Sequence, residues 1–233
     1  MISKMITFAR RLLASIGLCK PALKPITHQL TKLPGCHTII ISGLDNAGKS
    51  TLLANHLCIN KDDISFIGQA IHLDIKVCNY HNITFKVLDV GICRPASIRR
   101  RERLHINEAS ALIWVIDTND YDRKVEVREE LVRTAFHQDG TPVLILANKQ
   151  DLDGAWTVEQ TRKYFIDDIS SYYIGRPTAV FGTNIKTGEG LREAFDWFRK
   201  AMEGRVKFKA DIAEKTPVLS EKAILNDIEH REW

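Results

Sequence analysis

Gly43-Leu44-Asp45-Asn46-Ala47-Gly48-Lys49-Ser50 is the stretch that decides how this chain of 233 residues is read. It fits G-x-x-x-x-G-K-[ST], the pattern of a phosphate-binding loop, and it sits where that mechanism needs it. Residues 37–42 (HTIIIS) precede it as a short apolar run of strand type, and residues 49–57 follow it with helical patterning. The glycines let backbone N–H groups turn inward around phosphate oxygens, and the opening of the helix adds partial positive charge. In such a loop Lys49 reaches the β- and γ-phosphates and Ser50 offers its hydroxyl to Mg2+, with Thr51 beside them on the first turn.

On the C-terminal side of this loop, strand-like and helix-like segments alternate. Residues 71–78 and 83–90 read as two strands joined by a turn at His81 and Asn82. Residues 111–117 and 142–148 are buried-strand runs, followed by helical patterning over 123–136 and 158–165. Residues 179–183 and 191–206 repeat that order. Alternation of this kind predicts an α/β fold: a mainly parallel six-stranded sheet with helices on both faces, right-handed crossovers, and a ligand at the carboxyl ends of the strands. The domain is expected to span 37–206, after an N-terminal helix over 1–18 and a linker or surface arm over 19–36 broken by Pro21, Pro25, Pro34 and Gly35. Residues 207–233 read as a charged C-terminal tail with one short helix near 220–229.

A second motif supplies the base. Asn148-Lys149-Gln150-Asp151 closes the apolar run 142–147 (PVLILA), which places the Asp151 carboxylate at a strand end. There it can accept both N1–H and the exocyclic amine of guanine, a donor pair adenine lacks. A site built on paired hydrogen bonds rejects the wrong base because its own buried groups would be left unpartnered. The expected ligand is therefore GTP or GDP with Mg2+, and an ATP-using enzyme is disfavoured.

Composition bounds the rest. Hydrophobic residues make up 44% and charged residues 27%, the balance of an ordinary globular chain. Arg10 and Arg11 interrupt the one N-terminal stretch that approaches the ~18 apolar residues of a spanning helix. Residues 1–44 hold Lys4, Arg10, Arg11, Lys20, Lys24 and Lys32 and no acid, which exceeds the chain's net charge of +4, so the remainder is slightly acidic. A nucleic-acid binder would stripe basic residues over its folded surface, so no nucleic-acid partner is expected. Ile2, Met5, Ile6, Ala9, Leu12, Leu13 and Ile16 fall on one helical face, and residues 2–16 are expected to meet a membrane surface through that face and the basic residues. Ile2 in place of glycine excludes N-myristoylation, leaving acylation of Cys19 as a further anchor. The expected location is cytoplasmic and peripherally membrane-associated, and the alternative for this acid-free segment is a mitochondrial presequence. Cys19, Cys36, Cys58, Cys78 and Cys93 form no C-x-x-C pair, and reduced thiols are expected.

GLDNAGKS, the strand pair ending NITFKVLDVG, ALIWVIDTND and ANKQDL together resemble the Arf and Arf-like family of small GTPases over about residues 37–200. The resemblance implies GTP and GDP binding with Mg2+, two switch regions, effector and exchange proteins as partners, and a monomeric chain. It also implies that Asp89 holds Mg2+ through water, that Gly91 lies at the γ-phosphate, and that Thr183, Asn184 and Ile185 form a third guanine-lining loop. Three departures follow. The family's D-V-G-G-Q reads Asp89-Val90-Gly91-Ile92-Cys93, so a backbone N–H donor and the water-orienting glutamine are both replaced, and no catalytic residue is assigned. Phe66 stands where a switch threonine would coordinate Mg2+. The second switch carries Arg94, Arg99, Arg100, Arg101 and Arg103 where the family has aromatic effector contacts. Two readings stay open: a binding protein with weak or no hydrolysis, and a GTPase switch that depends on an activating protein.

Overall fold

Strand β1 (His37–Ser42) is buried at its last four positions, and it stands at the centre of the sheet with parallel neighbours on both sides. The computed structural model describes residues 26–58, 64–67, 75–88, 105–136, 141–168 and 176–204. Among these, the other strands are β2 (Ile64–Ile67), β3 (Ile75–Tyr80), β4 (Ile83–Val87), β5 (Ala111–Asp117), β6 (Val143–Asn148) and β7 (Thr178–Thr183). Their order is β2-β3-β4-β1-β5-β6-β7. Strands β4, β1, β5, β6 and β7 are parallel, while β3 and β2 add an antiparallel arm beside β4. The mainly parallel α/β sheet is the one expected, but it has seven strands rather than six. The seventh, β2, is four residues long, too short for alternation to announce it, and its register comes from β3 rather than from its own pattern.

Helix α1 begins at Lys49–Leu52 and continues as a π-type turn over Leu53–Leu57. Helices α2 (Lys124–Phe136), α3 (Val158–Phe165) and α4 (Leu191–Met202) complete the layers. Thr157 and Gln160 close a capping box that starts α3, each side chain accepting from the other's backbone N–H at 3.1 and 2.9 Å. Helix α4 buries Leu191, Ala194, Phe195, Phe198 and Ala201, an i, i+3, i+4 stripe, against the face of the sheet that also receives Leu52, Leu53 and Leu57 of α1. The opposite face packs Ile40, Leu112 and Trp114 under Leu131, Val132 and Phe165. Strands β5 and β6 are covered on both sides, which explains their unbroken apolar runs.

Part of the segment read as a linker joins this core. A 3-10 helix (Ile26–Lys32) and the residues after it bury Leu30 and Leu33, and the Asn82 amide at the β3–β4 turn donates to the Leu33 and Gly35 carbonyls at 2.8 and 2.7 Å. The prolines bound this segment, but Ile26, Leu30 and Leu33 give it an apolar side that needs covering. Residues 1–18 and 207–233 lie outside the described residues. The expectation of reduced thiols is corrected at one pair. Cys58, just after α1, and Cys78, on β3, are joined by a disulfide with Cα atoms 6.3 Å apart, and both are buried.

Candidate nucleotide site

The carboxyl ends of β1, β6 and β7 all open on the same edge of the sheet, so the three loops that follow them converge. They line one cavity of about 700 Å3. Its lining comes from Asp45, Asn46, Gly48, Lys49, Ser50 and Thr51 of the phosphate loop and from Asn148, Lys149, Asp151, Asn184 and Ile185 of the other two. These expected site residues are therefore brought together. Leu152 and Lys186 also line the cavity and were not expected; each directly follows a residue that was.

The loop's shape is enforced at its glycines. Gly43 has φ 140°, and a Cβ there would lie 2.2 Å from the Val115 carbonyl oxygen. Gly48 has φ 112°, and a Cβ there would meet the Asn148 amide nitrogen at 2.6 Å. Only glycine meets both demands. Leu44 and Ala47, expected contacts of the ligand, turn their side chains into the core. The Leu44 carbonyl accepts from the Lys49 ammonium at 2.5 Å, and Lys49 is 3% exposed, so its charge is held within the loop. Asp45 is tethered from outside by Arg123, whose Nη1 donates to Asp45 Oδ1 at 2.5 Å and whose Nε donates to Asp120 at 2.7 Å. The Arg123 hydrogen bond is the main cause that holds the Asp45 carboxyl below the usual carboxylate range.

Asn148 does more than flank the base. Its Nδ2 donates to the Ala47 carbonyl at 2.7 Å and its Oδ1 accepts from the Ile185 N–H at 2.9 Å, so one buried side chain clamps the phosphate loop to the third loop. Both of its polar groups are spent on protein partners. Asn148→Ala removes both bonds at a position 4% exposed, and unpartnered buried groups cost about 1–3 kcal/mol each. We expect unfolding in urea to show a loss of about 2–4 kcal/mol; a loss below ~0.5 kcal/mol would show that the clamp is not needed. Lys149 takes a left-handed φ of 67° and pairs with Asp117 at 2.5 Å, which leaves its stem along the cavity. Gln150 turns away and donates to Thr118 and to the Trp156 carbonyl, fixing the loop that presents Asp151. Asn184 Oδ1 accepts from the Lys186 and Thr187 N–H groups at 3.0 and 3.3 Å, shaping the turn that carries Ile185.

A sequence model of the ADP-ribosylation factor family matches residues 25–202. The chain belongs to the Arf family. It is 34% identical over 170 residues to ADP-ribosylation factor-like protein 2 of Arabidopsis thaliana, covering 72% of this chain and 88% of that protein. The protein of the same description from Dictyostelium discoideum is also 34% identical, over 172 residues, with 72% and 88% covered. Among solved structures, the Arl6 BBS3 small GTPase from Trypanosoma brucei with bound nucleotide analogue GppNp superposes with a TM-score of 0.56 at 23% identity. That likeness covers 73% of this chain and 99% of the other and bears on the fold. Membership in this family of small GTPases carries guanine-nucleotide binding with it.

Most of the other Arf-type expectations fall on residues the structure does not describe. Asp89 and Gly91 lie outside the described residues, as do Ile92, Cys93 and the arginines of the second switch. Phe66 lies in β2, in register with Lys76, and the Ser65 hydroxyl donates across to the Val77 carbonyl at 3.5 Å. Of the two residues expected to hold Mg2+, only Ser50 is among the described residues, and its hydroxyl is engaged by a protein cation. The Ser50 hydroxyl accepts from the Lys76 ammonium at 2.6 Å. An ion ligated by the same oxygen, at the ~2.1 Å that Mg2+ requires, would lie within about 5 Å of a positive charge. Like unit charges about 4 Å apart repel by about 4 kcal/mol at an effective dielectric near 20, and a divalent ion doubles that.

Proposed function

We propose that this chain is a guanine-nucleotide-binding regulator of the Arf type that hydrolyses GTP weakly or not at all and works at a membrane surface, in trafficking or organelle organisation. What carries the nucleotide part is that the phosphate loop and Asp151 line the same cavity. The hydrolysis part rests on Ile92 and Cys93, which replace a glycine donor and a water-orienting glutamine. A thiol is a weak hydrogen-bonding group and Cys93 is too short for that task. Its partners are effector and exchange proteins, and it acts as a monomer. Mg2+ is left out of the proposal because of the Lys76 contact at Ser50.

In a single-turnover assay with GTP, hydrolysis by the unmodified chain should stay near the detection limit, and Ile92→Gly with Cys93→Gln should raise it roughly tenfold or more. Brisk turnover that ignores both substitutions would overturn the hydrolysis part. Acceleration of about 10³ to 10⁵ by a lysate fraction would instead make the chain an activator-dependent switch.

For the membrane part, the acid-free apolar face of residues 2–16 supports attachment to anionic lipid. Among the described residues no helix is long and apolar enough to cross a bilayer. Removing residues 1–18 should abolish flotation with liposomes containing phosphatidylserine. Undiminished flotation would refute this, and recovery of a mature chain cleaved inside mitochondria would make the segment a presequence.

A further inference from the structure

Lys76 is a cation aimed at the phosphate site from outside the phosphate loop. It is the second residue of β3, between Val87 of β4 and Phe66 of β2, so its backbone is held by hydrogen-bonded strands on both sides. Residues 76, 78 and 80 share one face of β3, and Cys78 and Tyr80 from that face pack into the same core as Leu52, Leu53 and Leu57 of α1. Two contacts therefore run from this face to the same helix. Lys76 reaches Ser50 at the start of α1, 2.6 Å from ammonium to hydroxyl, and Cys78 is bonded to Cys58 just past its end. The covalent rung fixes β3 against the helix and keeps the lysine in reach of the loop. The hydroxyl it touches is the one a phosphate-loop protein uses for its metal ion.

We infer that the Lys76 ammonium is a built-in cation of this site, supplying beside Ser50 the positive charge that a divalent ion would bring, so that a guanine nucleotide is retained with little dependence on Mg2+. The inference rests on the nucleotide-binding reading given above. A lysine is a compact point charge with three donors, suited to sharing itself between a hydroxyl and a phosphate oxygen. It also disfavours a second cation at the same oxygen through like-charge repulsion.

The test uses the full chain loaded with a fluorescent GDP analogue, with release followed after addition of excess unlabelled GDP in Mg2+ or in EDTA. For the unmodified chain the two release rates should agree within about threefold, because no ion is there to remove. Lys76→Met keeps the stem and deletes the charge. Loss of one charge-assisted contact corresponds to about ten- to a hundredfold, so release in EDTA should accelerate by that factor and the Mg2+ and EDTA rates should separate. Lys76→Arg restores a positive charge and should bring the two rates back together, which a merely structural role for the stem would not do. Release from the unmodified chain that accelerates tenfold or more in EDTA, with an unchanged ratio in Lys76→Met, would overturn the inference. If no variant holds the GDP analogue in either buffer, the nucleotide-binding reading itself has failed, a result that cannot be mistaken for the others.

Discussion

Lys49→Ala is expected to abolish retention of GDP and GTP, lowering affinity by on the order of 10² to 10⁴ in a fluorescent-nucleotide titration, since two charge-assisted contacts at about 1.5–3 kcal/mol each are lost. The size follows from placement. Lys49 is 3% exposed, and its ammonium already lies 2.5 Å from the Leu44 carbonyl, so the charge stands ready inside the loop before a phosphate arrives. A flexible surface lysine would first have to be ordered, and its removal would cost less. Circular dichroism should show the fold retained, because the core under α1 is made by Leu52, Leu53 and Leu57 rather than by Lys49. Affinity within about threefold of the unmodified chain would mean that the loop does not cradle phosphate.

What could be read from the chain alone was whatever is contiguous along it. Residues 43–50 and 148–151 announce their chemistry because each motif carries its own strand, turn and loop in one short window, and the structure sets both at the same end of the sheet. The buried strands β5 and β6 were legible as unbroken apolar runs. Harder to see was anything that depends on two distant stretches meeting. Asn148 looks like a base contact in N-K-x-D, yet its amide works between Ala47 and Ile185, 101 and 37 positions away. Lys76 looks like a polar residue on a half-exposed strand, and only the pairing of β3 with β4 and the Cys58–Cys78 bond aim it at Ser50. Leu30 sits between prolines, where composition says linker and packing says core. Spacing identifies a loop that binds phosphate, but which cation serves it is decided by a neighbour across the sheet.

Asp151→Asn should exchange the preferred base rather than destroy binding. Asp151 lines the same cavity as the phosphate loop, and guanine offers its carboxylate two donors, N1–H and the exocyclic amine. An amide presents one acceptor and one donor, so it meets guanine with one good bond and one clash of donors. It meets xanthine, which carries a carbonyl where guanine has the amine, with both groups satisfied. One charge-assisted bond lost from guanine and the other reduced to a neutral one correspond to on the order of a hundred- to a thousandfold in affinity, and sites that read hydrogen-bonding groups discriminate by about 10⁴ to 10⁵ when one is left unpartnered. In competition against a fluorescent GDP analogue, XDP should therefore displace weakly from the unmodified chain and become the stronger competitor in Asp151→Asn, while ADP stays poor in both. The loop around Asp151 should survive the change. Its shape is set by the Gln150 bonds to Thr118 and to the Trp156 carbonyl and by the Lys149–Asp117 pair, none of which involves the substituted carboxylate. If GDP and XDP compete equally in both proteins, Asp151 does not read the base, and specificity would have to come from the third loop at Asn184 and Ile185, whose N–H and side-chain groups are already engaged with Asn148, Lys186 and Thr187.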